Sequence, residues 1–120
     1  MKGTVLFVED EPYYKTIYGT ALANAGATVA YAKNGKEALE MFKKKKPDLI
    51  ITDLIMPEMS GMKFLNELNK QNTPIIVLTA LEGETDKQDA LDAGAAYFCS
   101  KMDTNPEALI AMTEQFLGKK

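Results

Sequence analysis

Apolar positions along the chain take two alternating forms. Short continuous runs rich in β-branched residues recur at intervals of roughly two dozen residues, and between them apolar side chains return every three or four positions. The first form reads as strands buried on both faces, the second as amphipathic helices. TVLFV (4–8), TVAYA (28–32), LIIT (49–52), IIVLT (75–79) and YFCS (97–100) are the predicted strands. Pro12 opens a helix that Gly26 closes, with Ile17, Ala21, Leu22 and Ala25 spaced for one buried face. Asn34 offers an N-cap for a second helix through Ala38, Leu39 and Phe42. Ser60 and Gly61 begin a third, with Phe64, Leu65 and Leu68 inward, and TDKQDALDAG gives a fourth, carrying Leu91 and stopped by Gly94. Asn105 followed by Pro106 caps a fifth, which carries Leu109, Ile110, Met112, Phe116 and Leu117. Five linked βα units with short connections predict an α/β fold: a doubly wound, five-stranded parallel sheet with right-handed crossovers and five helices on its two faces.

Composition narrows the function more than the fold. The 120 residues, 46% hydrophobic and 26% charged, hold no repeat or linker, so one domain over 1–120 is expected. The longest apolar stretches are strand-sized, and MKGTVLFVEDE lacks the long apolar segment of a signal peptide, so a cytoplasmic protein without membrane association is expected. A single cysteine, Cys99, cannot form an internal disulfide, and the chain has no histidine, which removes zinc, haem and histidine-based catalysis. A net charge of −3 leaves no footprint for direct nucleic acid binding. The run KKKK at 43–46 sits where cations complement a helix C-terminus and stay in water.

Candidate chemistry collects at the predicted strand ends. Strand one runs into Glu9, Asp10 and Glu11, strand three into Thr52 and Asp53, strand four into Thr79, and strand five into Ser100 and Lys101. In an open parallel sheet the carboxyl ends form one edge, and the crevice there is the expected ligand site. Carboxylates gathered at one place repel one another, and a divalent cation relieves that repulsion; oxygen ligands with retained waters suit Mg2+ or Mn2+. Lys101 and Thr79 opposite such a cation are suited to hold the remaining oxygens of a phosphoryl group. Asp53, at the end of the central strand, is placed to accept that group as an acyl phosphate. Taken singly these residues are bland: a strand-end aspartate capping a turn, a β-branched strand residue, a solvated lysine.

Four stretches together resemble the receiver domain of two-component response regulators, the CheY-like family: LFVEDE at the first strand, TDLIMPEMSG around Asp53, VLTA at 77–80, and DAGAAYFCSK ending in Lys101. The resemblance covers essentially the whole chain and implies the strand order 2-1-3-4-5. It implies Asp53 as phosphoacceptor. It also implies a metal site of Asp10, the Asp53 side chain and the Ile55 backbone carbonyl, with Glu9 acting through water. Thr79 is then the switch hydroxyl and Phe98 the switch aromatic, although core filling competes for Phe98. The implied phosphodonor is a histidine kinase or a phosphotransfer protein. The implied output is a protein partner on the face of the fourth helix, fifth strand and fifth helix, in a monomer or a weak phosphorylation-dependent dimer. Such a domain is no enzyme beyond its own phosphorylation and slow loss of phosphate.

The chain departs from the family pattern at Glu9, more often aspartate, and at Met102, more often proline, so the cis-proline geometry expected after Lys101 is not implied here. Ile55 and Leu81, two residues beyond Asp53 and Thr79, fall where the family lines the path of the hydrolytic water. Both are apolar, so slow self-dephosphorylation is expected. Rival readings fail on residues. A haloacid-dehalogenase-type phosphatase needs a second acid where Ile55 stands, and a flavodoxin-like carrier needs a phosphate loop where Glu9, Asp10 and Glu11 would repel the anion. A degenerate receiver, acting only as an interaction module, is disfavoured by the complete set of acids, Thr79 and Lys101.

Overall fold

The computed structural model describes residues 1–55, 59, 61–69, 72–81 and 83–118. Five strands alternate with five helical rods: β1 (Gly3–Val8), α1 (Pro12–Tyr14, Lys15–Gly19 and Thr20–Asn24 in succession), β2 (Ala27–Ala32), α2 (Gly35–Lys44), β3 (Leu49–Thr52), α3 (Gly61–Asn69), β4 (Ile75–Thr79), α4 (Glu84–Asp92), β5 (Tyr97–Ser100) and α5 (Pro106–Glu114). The strands form one parallel sheet in the expected order β2-β1-β3-β4-β5. The expected N-caps act as such: Asn34 Oδ1 accepts from Glu37 N at 2.8 Å and Asn105 Oδ1 from Ala108 N at 2.8 Å. Gly26 and Gly94 end α1 and α4 at φ +113° and +111°, a conformation that a Cβ disfavours.

Alternation along the strands divides the core in two. Leu6, Val8, Ile50, Ile75 and Val77 face one side, under α2, α3 and α4, with Phe64, Leu65 and Leu68 fully buried there. Val5, Phe7, Leu49, Ile51, Ile76 and Leu78 face the other, under α1 and α5, with Leu22 and Leu109. Both faces of the inner strands are therefore apolar, which is why their sequences read as unbroken hydrophobic runs. An antiparallel bridge between Lys2 and Gly118 ties the two ends of the described chain together.

Two expectations need correction. Ile17 is 39% exposed, and Tyr18 takes the inward place at 4%. The cause is a π-helical stretch, Lys15–Gly19, inside α1; its wider turn advances the inward face by one residue. Gly19, at its end, lies so close to β2 that a Cβ there would collide with the Tyr31 hydroxyl. Second, α5 ends at Glu114, so Phe116 and Leu117 pack from the turn that follows it. The expected start of α3 at Ser60 lies outside the described residues. Among the described residues no helix is long and apolar enough to cross a membrane.

Candidate functional site

Asp53 leaves β3 with its backbone still on the ladder, its N–H donating to Val8 O at 3.2 Å, so the side chain is delivered to the carboxyl edge of the sheet at 3% exposure. Three donors reach it there. Oδ1 accepts from Thr79 Oγ1 at 2.6 Å and from Ile55 N at 3.0 Å, while Oδ2 accepts from Lys101 Nζ at 2.8 Å. Thr79 is the last residue of β4, in register with Ser100 of β5, and Lys101 N donates to Thr79 O at 2.8 Å. Sheet register thus brings together residues 26 and 48 positions from Asp53 in sequence.

Lys101 is 7% exposed and its ammonium is shared. Nζ lies 2.8 Å from Glu9 Oε1, 2.8 Å from Asp53 Oδ2 and 3.8 Å from Glu11 Oε2, and 4.0 Å above the Tyr14 ring centre. Burial by itself pulls the Lys101 amine down, but hydrogen bonds and charge from Asp53 and Glu9 outweigh it and hold the amine above the ordinary lysine range. For fully buried Glu9 the balance runs the other way: desolvation pushes its carboxyl up, and the Lys101 ammonium together with the Glu11 N–H, 3.1 Å from Oε2, offsets only part of that. Glu9 Oε1 meets the ammonium directly, as a close ion pair.

Glu9, Glu11 and Asp53 each bring a carboxylate oxygen within 4.8 Å of the others. Three carboxylates against one ammonium leave the pocket with an excess of negative charge, and oxygen donors at this spacing fit a hard divalent cation such as Mg2+. Asp10, expected among the metal ligands, is exposed, and its carboxylate stands outside this group. The reason is backbone alternation: Glu11 is still extended (φ −91°, ψ 118°), so Glu9 and Glu11, two apart, share a face that the residue between them does not.

The remaining expected residues are distributed as follows. Ile55 holds Asp53 through its N–H, and the residue is 52% exposed. Phe98 packs half-buried against the core under α4 and lines a cavity of about 310 Å³ with Lys87, Cys99, Ser100, Asp103 and Thr104. The Lys101–Met102 peptide is trans. Glu11 was expected at the sheet edge but not among the metal ligands, and Tyr14 was not expected at the site. The i, i+4 spacing of Tyr14 and Tyr18 is visible in the sequence and puts both on one side of α1, but which side depends on the π-helical stretch.

Comparison with known proteins places this geometry in a family. The family model for the response regulator receiver domain matches residues 5–114. The KDP operon transcriptional regulatory protein KdpE of Escherichia coli is 42% identical over 98 residues, which cover 81% of this chain and 44% of KdpE. The chain spans less than half the length of KdpE and of the ycf27 transcriptional regulators that it also matches. Among solved structures, the BeF3-activated receiver domain of Klebsiella pneumoniae RstA superposes with a TM-score of 0.88 at 30% identity, covering 97% of this chain and 99% of that one. The chemotaxis regulator CheY4 of Vibrio cholerae gives 0.87 at 31% identity, covering 98% and 100%. With strand order, acidic pocket and family match in agreement, the chain belongs to the receiver domains of two-component response regulators.

Proposed function

We propose that this receiver accepts a phosphoryl group on Asp53 from a phosphohistidine of a histidine kinase or phosphotransfer protein. One observation carries the reading: both oxygens of a nearly buried aspartate are met by donors from two other strands, Thr79 at 2.6 Å and Lys101 at 2.8 Å, in a pocket rich in further acids. In the transfer an Asp53 oxygen attacks phosphorus, the P–N bond to the donor imidazole breaks with its electron pair staying on nitrogen, and an acyl phosphate results. Lys101 and Thr79 are the groups positioned to exchange the carboxylate for phosphoryl oxygens, and the Ile55 N–H holds the carboxylate in place meanwhile. Mg2+, when bound, supplies positive charge to the phosphoryl oxygens. Asp53, exposed Asp10 and the Ile55 carbonyl are the proposed ligands, with Glu9 acting through water and Glu11 available beside it.

Moving Thr79 and Lys101 from one set of oxygens to another shifts the ends of β4 and β5 together, since Lys101 N is bonded to Thr79 O. Phe98, three residues before Lys101 and beside the 310 Å³ cavity, is the proposed switch aromatic; its ring has space on the α4–β5–α5 face to change rotamer. That face is the proposed surface for a downstream protein, in a cytoplasmic chain that is a monomer or a weak phosphorylation-dependent dimer. The test is intact-mass spectrometry after incubation with acetyl phosphate. Wild type is expected to gain one phosphoryl group in Mg2+ and none in excess EDTA, and Asp53→Asn to gain none in either. A gain that persists in Asp53→Asn refutes the assignment.

A further inference from the structure

The geometry points to Tyr14 and Tyr18 as a brace from α1 that positions Lys101 for the phosphoryl group, Tyr14 by its ring face and Tyr18 by its hydroxyl. This inference rests on the reading of Asp53 as the phosphoacceptor. Lys101 stands at the start of a loop, Lys101–Thr104, that holds no proline. Its internal ties are Met102 N on Ser100 Oγ at 3.1 Å and Asp103 N on Ser100 O at 3.2 Å, and Met102 is 73% exposed. Besides the bonds of Lys101 to Thr79, Asp53 and Glu9, both ends of the loop are held from α1. At the first, the Lys101 ammonium sits 4.0 Å above the Tyr14 ring centre; at the second, the Tyr18 hydroxyl donates to Thr104 O at 2.6 Å. The two rings are stacked, 6.3 Å between centres and 19° between planes, so the two holds form one body.

The chemistry of the Tyr14 ring suits the task. Lys101 already faces Glu9, Glu11 and Asp53, and a further carboxylate holding the amine would repel an incoming phosphoryl anion. An aromatic face attracts the ammonium through its quadrupole and carries no net charge, so it fixes the amine without opposing the anion that the amine must receive. The local structure of α1 serves the same end. The π-helical stretch begins directly after Tyr14, and with it Tyr18 rather than Ile17 is turned inward, under Tyr14 and within reach of Thr104. Tyr14 and Tyr18 are therefore positioning residues that act through Lys101.

The test compares Tyr14→Phe, Tyr14→Leu and Tyr18→Phe with wild type, measuring phosphorylation by acetyl phosphate in Mg2+ by intact mass at several donor concentrations. Tyr14→Phe keeps the ring face and is expected within about twofold of wild type; Tyr14→Leu loses it and is expected to show a maximal rate about tenfold lower with little change in the half-saturating donor concentration. Tyr18→Phe keeps the stack but frees the loop, with a loss of about threefold expected. A spectroscopic signature separates positioning from packing. In the unphosphorylated protein the Lys101 ε-methylene protons, next to an ammonium 4.0 Å from the ring centre, should resonate upfield in wild type and Tyr14→Phe and return to ordinary lysine values in Tyr14→Leu. Equal rates in Tyr14→Leu and wild type, equal losses in Tyr14→Leu and Tyr14→Phe, or an ε-methylene shift that survives in Tyr14→Leu each overturn the brace. A wild-type chain that takes up no phosphate while the ring-current shift is present overturns the phosphoacceptor reading instead, and the positioning role with it.

Discussion

Asp48 enters β3 and Asp53 leaves it, with the four strand residues Leu49–Thr52 between them. Asp48 is exposed; its Oδ2 accepts from Thr4 N at 2.8 Å while its own N–H donates to Thr4 O at 2.9 Å, so it extends the pairing of β1 and β3 by one step. Asp53 is nearly buried and takes donors from β4, from the loop after β5 and from its own loop. Both acids flank the same apolar run. What sets them apart is the edge of the sheet they occupy: in a parallel sheet the carboxyl ends of neighbouring strands can each contribute a side chain to one crevice. Asp48 answers one neighbouring strand, whereas Asp53 answers its own loop and two elements distant in sequence.

The contrast breaks hardest at Lys101. Lys101→Met leaves Glu9 and Asp53 buried without their cation, and a loss of about 3–5 kcal/mol in unfolding free energy is expected by urea denaturation. Because the Lys101 amine is raised in the folded state, this contribution is present below the ordinary lysine value of about 10.4 and is lost as pH climbs through the folded one. Next is the lifetime of the phosphate. Ile55→Asn with Leu81→Glu places water-orienting groups beside Asp53, and about a tenfold faster decay of the phosphorylated species is expected by intact mass over time. An unchanged or slower decay refutes it.

Glu9 gives a smaller effect with the opposite sign to Lys101. A carboxyl raised in the folded state binds its proton more tightly there than when unfolded, so its contribution to stability falls as pH rises from about 4.3 through the folded value. Glu9→Gln is therefore expected to raise Tm by about 2–6 °C at pH 7, with the gain vanishing below about pH 4. Calorimetry across that range reads it directly. At the other end of the chain's acid spectrum, Asp48→Asn keeps an acceptor for Thr4 N, so a stability change within about 0.5 kcal/mol and full phosphorylation are expected. Loss of phosphate uptake in Asp48→Asn would erase the distinction between the two aspartates.

Features set by neighbours in the chain were legible in the sequence, namely the strand runs, the Asn34 and Asn105 caps and the glycine stops, and the alternation of strands and helices made the gathering of Glu9, Asp53, Thr79 and Lys101 at one sheet edge legible too. What escaped was set by contacts between elements. Ile17 has the right spacing for a regular helix, but the π-helical stretch, alongside the close approach of Gly19 to Tyr31, turns Tyr18 inward. Glu11 was read only as a strand-end acid, yet the extended backbone there sets its carboxylate beside those of Glu9 and Asp53. Neither a helix register change nor the length of an extended segment leaves a mark in composition or period.

The bond from Lys101 N to Thr79 O puts the two residues whose side chains meet Asp53 on a single rung. Independent sensors would report partial occupancy in separate, graded steps, whereas neighbours on one rung rise and settle together. Under the proposed function, energies assigned to the hydroxyl and to the amine are therefore coupled and will not sum.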